Sequence, residues 1–426
     1  VLVAGATGYI GGRLVPELLH RGYRVRVMVR AESPEHRERW PDIDVVAADA
    51  LDRDEVTRAL EGVDTAYYLI HSMLIGLRKF EDADILAARN FRQAAEQQGV
   101  KRIIYLGGLG DTQTTLSTHL ASRAEVADEF MRGSVPTTIL RAAIIIGSGS
   151  ASYEMINHLV RRIPVFLMPS WTKTQCQPIG LRDVIKSLVG VLEKPETAGR
   201  TFDIGGSDVL TYEQILKIHA DILGKKRIYI SSPVSSIRFY SYITSLLTPV
   251  PAPITRCLME SVTHDVVCQE NEIEEMIPFR RISCKEALVL ALSREDQDAV
   301  HTRWSDSYPP DYELAIKLRE LEGPPTYTSS YSLVTDKSAE SLFSSITHIG
   351  GKKGWFYSTF LWRIRGALDR ILRGVGSTRG RRSASTLRVN DVVDFWRVEE
   401  IKYHRQLLSL DLGHLMCQSE AKSCYQ

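Results

Sequence analysis

Short apolar, β-branched runs alternate with longer amphipathic stretches from the first residue onward. Residues 1–4, 24–29, 45–47, 65–70, 102–106 and 137–146 predict six strands, and 8–21, 53–61, 80–98 and 116–131 predict the helices between them. Continuous runs such as Ala66-Tyr67-Tyr68-Leu69-Ile70 and Ile103-Ile104-Tyr105-Leu106 suit strands covered on both faces. The expected fold class is therefore α/β, with a doubly wound parallel sheet over residues 1–150.

Beyond Ile146 the rhythm loosens. A helix over 152–162, a loop over 164–177, a helix over 181–193, a strand over 201–204 and a helix over 212–223 predict a helical substrate lobe of the same extended fold, residues 151–305. The stretch 233–253 is rich in Ser, Tyr and Pro, and 262–279 is acidic. Tyr308-Pro309-Pro310 and Gly323-Pro324-Pro325 mark a boundary, so residues 306–426 are expected to form a separate α+β domain. Within it Phe360, Leu361, Ile364, Leu368, Ile371 and Leu372 recur at helical spacing, and seven arginines accompany the single acid Asp369 between Trp355 and Arg382. Such a helix packs its apolar stripe on its own domain, the reading favoured here, or lies on an anionic membrane surface or a partner. Residues 411–426 show no periodicity and are expected to be a truncated or replaced end, just as the opening on Val1 without a Met predicts missing residues.

With 44% apolar and 25% charged residues and a net charge of +1, the composition is that of a globular protein and excludes a general nucleic-acid binder. Six scattered cysteines predict neither a disulfide framework nor a zinc ribbon, and His414, Cys417 and Cys424 lack a fourth partner, so no metal is expected. No uncharged apolar run reaches membrane-spanning length, because 239–258 is broken by prolines and Arg256. The expected location is cytoplasmic, peripheral to the inner membrane if segment 355–382 makes contact.

Candidate chemistry begins at Gly5-Ala6-Thr7-Gly8-Tyr9-Ile10-Gly11, which follows a strand and opens a helix. Gly5 permits the tight turn, Gly8 lets backbone approach a pyrophosphate and Gly11 brings helix and sheet together, while the amides of the helix start face the anion. This is the glycine loop of a dinucleotide-binding Rossmann sheet, with Thr7, Tyr9 and Ile10 beside the phosphates. At the end of the second strand, where a carboxylate would bond a ribose 2′-hydroxyl, stands Arg30. A guanidinium there predicts NADP(H), with NAD(H) less favoured. Asp49 is placed either to accept from the adenine amine or to make a plain turn. Ala50, Leu69 and Gly107, at the ends of neighbouring strands, complete the expected nucleotide contacts. His71 and Ser72 follow the fourth strand at the carboxyl edge, where ligands of such folds bind.

These residues resemble the atypical short-chain dehydrogenase/reductase superfamily, in particular its NmrA-like and YbjT-like NAD(P)-binding members. The glycine loop, Tyr68-Leu69-Ile70-His71-Ser72-Met73, Leu140-Arg141-Ala142-Ala143-Ile144-Ile145-Ile146-Gly147 and Phe202-Asp203-Ile204-Gly205-Gly206 carry the likeness over about residues 1 to 300. Residues 308–410 resemble the uncharacterised domain that follows such folds in YbjT-like proteins. The resemblance implies a Tyr, a Lys four residues later and a Ser as the acid–base set. This chain instead has His119 and Arg123 on the matching helix and Gly107-Gly108 at the strand end. His119 is left as a possible proton carrier and Arg123 as a holder of ribose hydroxyls. Gln177-Pro178-Ile179-Gly180-Leu181-Arg182-Asp183-Val184 resembles a segment beside the substrate cleft, with Arg182 and Asp183 read as helix-start charges.

Three functions follow as expectations. One is a reductase of a small apolar carbonyl or ene substrate. Another is a non-catalytic, NADP(H)-dependent redox sensor acting on a protein partner, and the third is a peripheral membrane-associated NAD(P)-binding protein that uses the basic segment 355–382.

Overall fold

The computed structural model describes residues 1–30, 36, 39–71, 77–110, 118–296, 302–304, 334–350, 354–355, 357, 359–371, 387, 391–394, 396–403, 406–411 and 420–424. The chain divides into two compact units, one of residues 1–297 with 301–307 and one of 298–300 with 308–426.

The first unit is built on β1 (Leu2–Ala4), β2 (Arg26–Val29), β3 (Asp44–Ala47), β4 (Thr65–Tyr68), β5 (Arg102–Gly108), β6 (Thr137–Ala142) and β11 (Thr201–Ile204). These seven described strands form one parallel sheet in the order β11-β6-β5-β4-β1-β2-β3. The order reverses between β1 and β4, which is where such sheets open a crevice for ligands. One face carries α2 (Arg53–Ala59), α3 (Leu77–Gln97) and α4 (Thr118–Met131), packed on Tyr68, Phe91, Tyr105 and Phe130. The opposite face carries α1 (Gly11–His20) and α6 (Leu181–Glu193) on Val3, Tyr67, Ile104 and Leu140. Each helix buries the stripe that its apolar spacing predicts. The Tyr67 hydroxyl, buried among apolar neighbours, donates to the Leu188 carbonyl oxygen at 2.8 Å, which fixes α6 on the sheet.

The strand over 201–204, expected in the substrate lobe, is the seventh strand of the main sheet. It is tied in by a buried ion pair, Arg141 Nε to Asp203 Oδ1 at 2.7 Å, with Asp203 Oδ2 accepting from the Gln269 amide at 2.9 Å. The run over 137–146 divides into β6 and β7 (Ile145–Ile146), and β7 pairs with β10 (Ile179–Gly180).

Around this sheet lie α5 (Ala151–Arg162), β8 (Val165–Met168), β9 (Gln175–Cys176), β12 (Leu210–Thr211), α7 (Tyr212–Ile222) and β13 (Ile228–Ser231). They are followed by α8 (Ile237–Leu247), α9 (Ala252–Ser261), α10 (Glu272–Met276) and α11 (Cys284–Asp296). Helix α7 starts on a capping box between Thr211 and Gln214. One expectation is corrected here. The loop over 164–177 contains β8, whose partner β13 lies some sixty residues on, and the Ser-, Tyr- and Pro-rich stretch contains α8 and the start of α9. Pro251 and Pro253 flank that start, where a missing N–H costs nothing. Asp183 serves as a structural acceptor, taking the Ile282 amide at 2.8 Å, and burial raises its pKa.

The second unit has α12 (Ala339–Thr347), α13 (Thr359–Ile371) and an antiparallel sheet of β14 (Val392–Val393), β15 (Trp396–Lys402), β16 (Gln406–Asp411) and β17 (Glu420–Cys424). Its core gathers Leu387, Val393, Val398 and Leu407 against Ile346 and Trp355. Trp355 donates from Nε1 to Asp394 at 2.8 Å, and Asp394 itself sits at φ 56°. Strand β17 corrects the reading of no regular element over 411–426: residues 420–424 pair in register with 406–410. Helix α13 corrects the expectation of a packed stripe: Phe360, Leu361, Ile364 and Leu368 stand 51 to 63% exposed, while Gly366 faces inward. His414 and Cys417 lie outside the described residues.

Among the described residues no helix is long and apolar enough to cross a membrane, and no His, Cys, Asp and Glu side chains group as metal ligands.

Candidate nucleotide site

The turn from β1 into α1 is built around glycine. Gly5 has φ +84°, and a Cβ on it would lie 2.6 Å from the Leu69 carbonyl oxygen, so the neighbouring β4 end closes only over a bare backbone. A Cβ on Gly11 would strike the Gly5 carbonyl and come within 2.9 Å of Ala6 Cα. Gly8 differs: a Cβ there would meet only the Gly5 carbonyl, at 3.2 Å, and its other side is open. The loop's turns use the Gly8 and Gly12 amides, donating to Gly5 and Gly8 at 3.0 and 2.9 Å. Among the described residues they leave the Tyr9, Ile10 and Gly11 amides at the helix start uncommitted to backbone acceptors. That is the donor set and clearance a pyrophosphate requires.

Three residues far along the chain clamp this loop. Thr302 is fully buried, donates to the Tyr9 carbonyl at 3.0 Å and accepts from Arg13 Nε at 2.9 Å. Arg13 also donates to the Ser148 carbonyl at 3.0 Å, and the Trp304 amide donates to Gly149 at 2.8 Å. Arg303 pairs with the buried Glu154 at 2.5 Å. Neither Arg13 nor Thr302 was foreseen. An arginine just inside a helix gives no local signal, and the contact spans 289 positions.

The other nucleotide candidates lie at the same carboxyl edge. Arg30 is exposed just past β2. Asp49 accepts the Leu51 amide on Oδ1 at 3.0 Å, a plain turn, and its own amide donates to Glu55 at 2.8 Å. The Ala50 and Leu51 carbonyls are held by the buried Asn90 of α3 at 3.1 and 2.9 Å. Leu69 donates from its amide to Ala4 at 2.9 Å, binding the β4 exit to the glycine loop.

His71 and Asp84 form a nearly buried pair, Nδ1 to Oδ2 3.3 Å, with side-chain exposures of 11% and 4%. Burial, and then the charge of Arg123, lower the His71 pKa to about 4 against the bond from Asp84. The imidazole is therefore neutral near pH 7. Arg123 donates from Nη1 to the Tyr105 hydroxyl at 3.2 Å. The end of β5 packs under α4 where the resemblance places a serine: a Cβ on Gly108 would lie 3.0 Å from Leu120 Cδ2, the tip of a side chain, and 3.7 Å from Arg123 Cγ. The α4 side chains occupy that space. A Cβ on Gly107 would meet the Tyr105 ring at 3.1 Å. His119 lies on α4, its side chain outside what is described, and Ser72 is outside the described residues.

With this geometry in place, comparison with known proteins is informative. Residues 5–155 match the family described as NAD(P)H-binding, and residues 322–425 match "Protein of unknown function (DUF2867)". The chain joins an NAD(P)-binding domain to DUF2867. The first is of the NmrA-like, short-chain dehydrogenase kind that the motifs resemble. The second match runs to residue 425, so the family pattern continues through β17.

Among curated relatives, the Arabidopsis thaliana mitochondrial NADH dehydrogenase [ubiquinone] 1 alpha subcomplex subunit 9 is 24% identical over 297 residues, 65% of this chain and 74% of that protein. The mouse protein of the same name is 28% identical, and the match spans only 56% of it. A ceramide reductase of Caulobacter vibrioides is 26% identical over 228 residues, 53% of this chain and 71% of that enzyme.

Solved structures share the fold. Bordetella bronchiseptica WbmG in complex with NAD has a TM-score of 0.55 at 14% identity, covering 71% of this chain and 95% of that one. MoeE5 in complex with UDP-glucose and NAD has a TM-score of 0.52 at 16% identity, covering 70% and 98%. These neighbours correct the expectation of NADP(H), since the nucleotide they hold is NAD. The physical reason lies at Arg30: an exposed guanidinium beside water discriminates weakly between a hydroxyl and a phosphate.

Proposed function

We propose that this protein holds NAD(H) on its glycine loop as a bound, state-reporting ligand and does not turn it over. The observation that carries this reading is the end of β5, where glycine stands in place of the serine and α4 packs closely over it. Where the superfamily resemblance places a serine hydroxyl, Gly108 lies under Leu120 and the Arg123 stem, and the arginine head is engaged by Tyr105. Among the described residues no phenol–ammonium pair stands at the end of β5, and the sequence has His119 and Arg123 where the resemblance places the Tyr and Lys. Similarity to a protein named as a subunit of a larger enzyme supports the same reading. Bound nucleotide would then act by ordering the loop that Arg13 and Thr302 clamp.

A reductase is the second reading, favoured by the His71–Asp84 pair at the carboxyl edge and by the similarity to a ceramide reductase. Calorimetry with NAD⁺ and NADH, paired with NADH oxidation over a carbonyl panel, separates the two. Binding without turnover is the expected result. Turnover that disappears in His119→Ala while NADH still binds would establish the reductase.

A further inference from the structure

The strands β8 and β13 pair in parallel, Val165 opposite Ile228 and Leu167 opposite Ile230. Their inner face is conventional. Phe166 stacks on Tyr229 with centroids 5.4 Å apart, and both pack with Met168, Val160 and Ala220 between α5 and α7. The outer face is not. An amphipathic ribbon puts polar residues toward water, yet Val165, Leu167, Ile228 and Ile230 stand 40 to 60% exposed side by side.

Charge around this face is one-sided. Residues 155–182 and 222–259, the two stretches that contain the ribbon, carry nine lysines and arginines and no aspartate or glutamate. The chain as a whole is nearly balanced, with 53 basic and 52 acidic residues, so the rest of it is net acidic. Because the strands are parallel, Arg161 and Arg162 before β8 and Lys225 and Lys226 before β13 gather at the same end of the ribbon. The other end carries amphipathic aromatics. Trp171 donates to the Ser235 carbonyl at 3.2 Å and meets Tyr240 edge-on at 5.5 Å, with Phe239 49% exposed beside it. The acids that Tyr229 senses, Asp221 and Glu213, belong to α7 behind the ribbon.

We infer that the outer face of the β8–β13 ribbon seats on an anionic phospholipid surface. Aliphatic side chains enter the acyl boundary, Trp171 and Tyr240 sit at headgroup depth, and the basic end meets the lipid phosphates. A protein partner would be expected to find both signs on the rim. An extended partner of one sign fits two ribbon-bearing stretches of chain that contain no acid, and the apolar centre fits a partner with a hydrocarbon interior.

The test is co-sedimentation of the full chain with vesicles of phosphatidylcholine alone and of phosphatidylcholine with a third phosphatidylglycerol. Binding is expected to the anionic vesicles and to weaken with salt. Lys225→Gln with Lys226→Gln should lower partitioning roughly fivefold per charge removed. Leu167→Glu with Ile230→Glu should lower it at least tenfold, with circular dichroism and thermal unfolding as checks of fold. The inference is overturned by absence of binding to either vesicle. It is equally overturned if Ile364→Glu with Leu368→Glu on α13 abolishes binding while the ribbon variants retain it. Size-exclusion showing that the ribbon variants dissociate a dimer, without vesicle binding by the parent, would assign the face to a second copy instead.

Discussion

Arg123 and Tyr105 hold one another: the guanidinium donates to the phenol oxygen at 3.2 Å, and the phenol lies 3.4 Å from the Arg123 carbonyl. One residue comes from the helix and the other from the strand beneath it, so the pair fixes α4 on β5 at the place where this fold does chemistry in its catalytic members. Replacing Arg123 by Met removes the cation but keeps the stem over Gly108. We expect a loss of about 2 kcal/mol in urea unfolding, the cost of leaving a buried polar partner unmet. We also expect an NADH affinity within threefold of the parent. A tenfold weaker affinity would instead make Arg123 a holder of the nucleotide ribose.

Gly8 separates binding from folding. Its Cβ position meets only the Gly5 carbonyl, at 3.2 Å, which has to give by a few tenths of an ångström, so Gly8→Asp should still fold, with a modestly lowered melting temperature. Its carboxylate would face the nucleotide phosphates, and calorimetry should show NAD(H) binding weakened at least tenfold.

Two buried histidines set an acid dependence. His71 and His219 both have their pKa lowered to about 4, first by burial. In the unfolded chain imidazole titrates near 6.5. As pH falls below about 6.5 the unfolded state takes up protons that the folded state does not. Stability is therefore complete above that pH, falls between 6.5 and 4, and stops falling from this cause below 4. Each group contributes on the order of 3 kcal/mol across the whole window. His219 Nε2 lies 3.1 Å from Asn157 Oδ1, a contact that glutamine can partly reproduce. Unfolding curves at pH 7.5 and 5 should show a smaller difference for His219→Gln than for the parent, and an unchanged difference would refute the assignment.

The Arg141–Asp203 pair, with Asp203 fully enclosed, joins the seventh strand to the sheet. Asp203→Asn strands the guanidinium against a neutral amide. A loss of about 3 kcal/mol is expected in chemical unfolding, the range for removing one partner of a buried pair. Arg141→Met with Asp203→Leu should recover part of it, because the double change removes both charges.

Much of the site was legible because it is local. A glycine at positive φ, a glycine under a neighbouring carbonyl and a helix start following a strand all announce themselves within seven residues, 5 to 11. Cofactor preference was not legible, because Arg30 signals by identity while its discrimination depends on exposure. Asp49 was open between two roles, and the structure shows its turn bond to the Leu51 amide. The absent serine could be read as a glycine, but the packing of Leu120 and Arg123 over Gly108 needed the folded helix. The strand at 420–424 was missed because an edge strand's pattern is set by its partner more than by its own periodicity.

Alternation of strand and helix, the phosphate loop and the two-part organisation were determined by the sequence itself. Periodicity and glycine chemistry act between residues a few positions apart. Tertiary structure alone decided that 302–304 return to clamp the loop, that 201–204 complete the main sheet, and that β8 and β13 turn four aliphatic side chains outward. Each of these joins segments tens to hundreds of residues apart, where the energy lies in the contact between them and neither segment carries it alone.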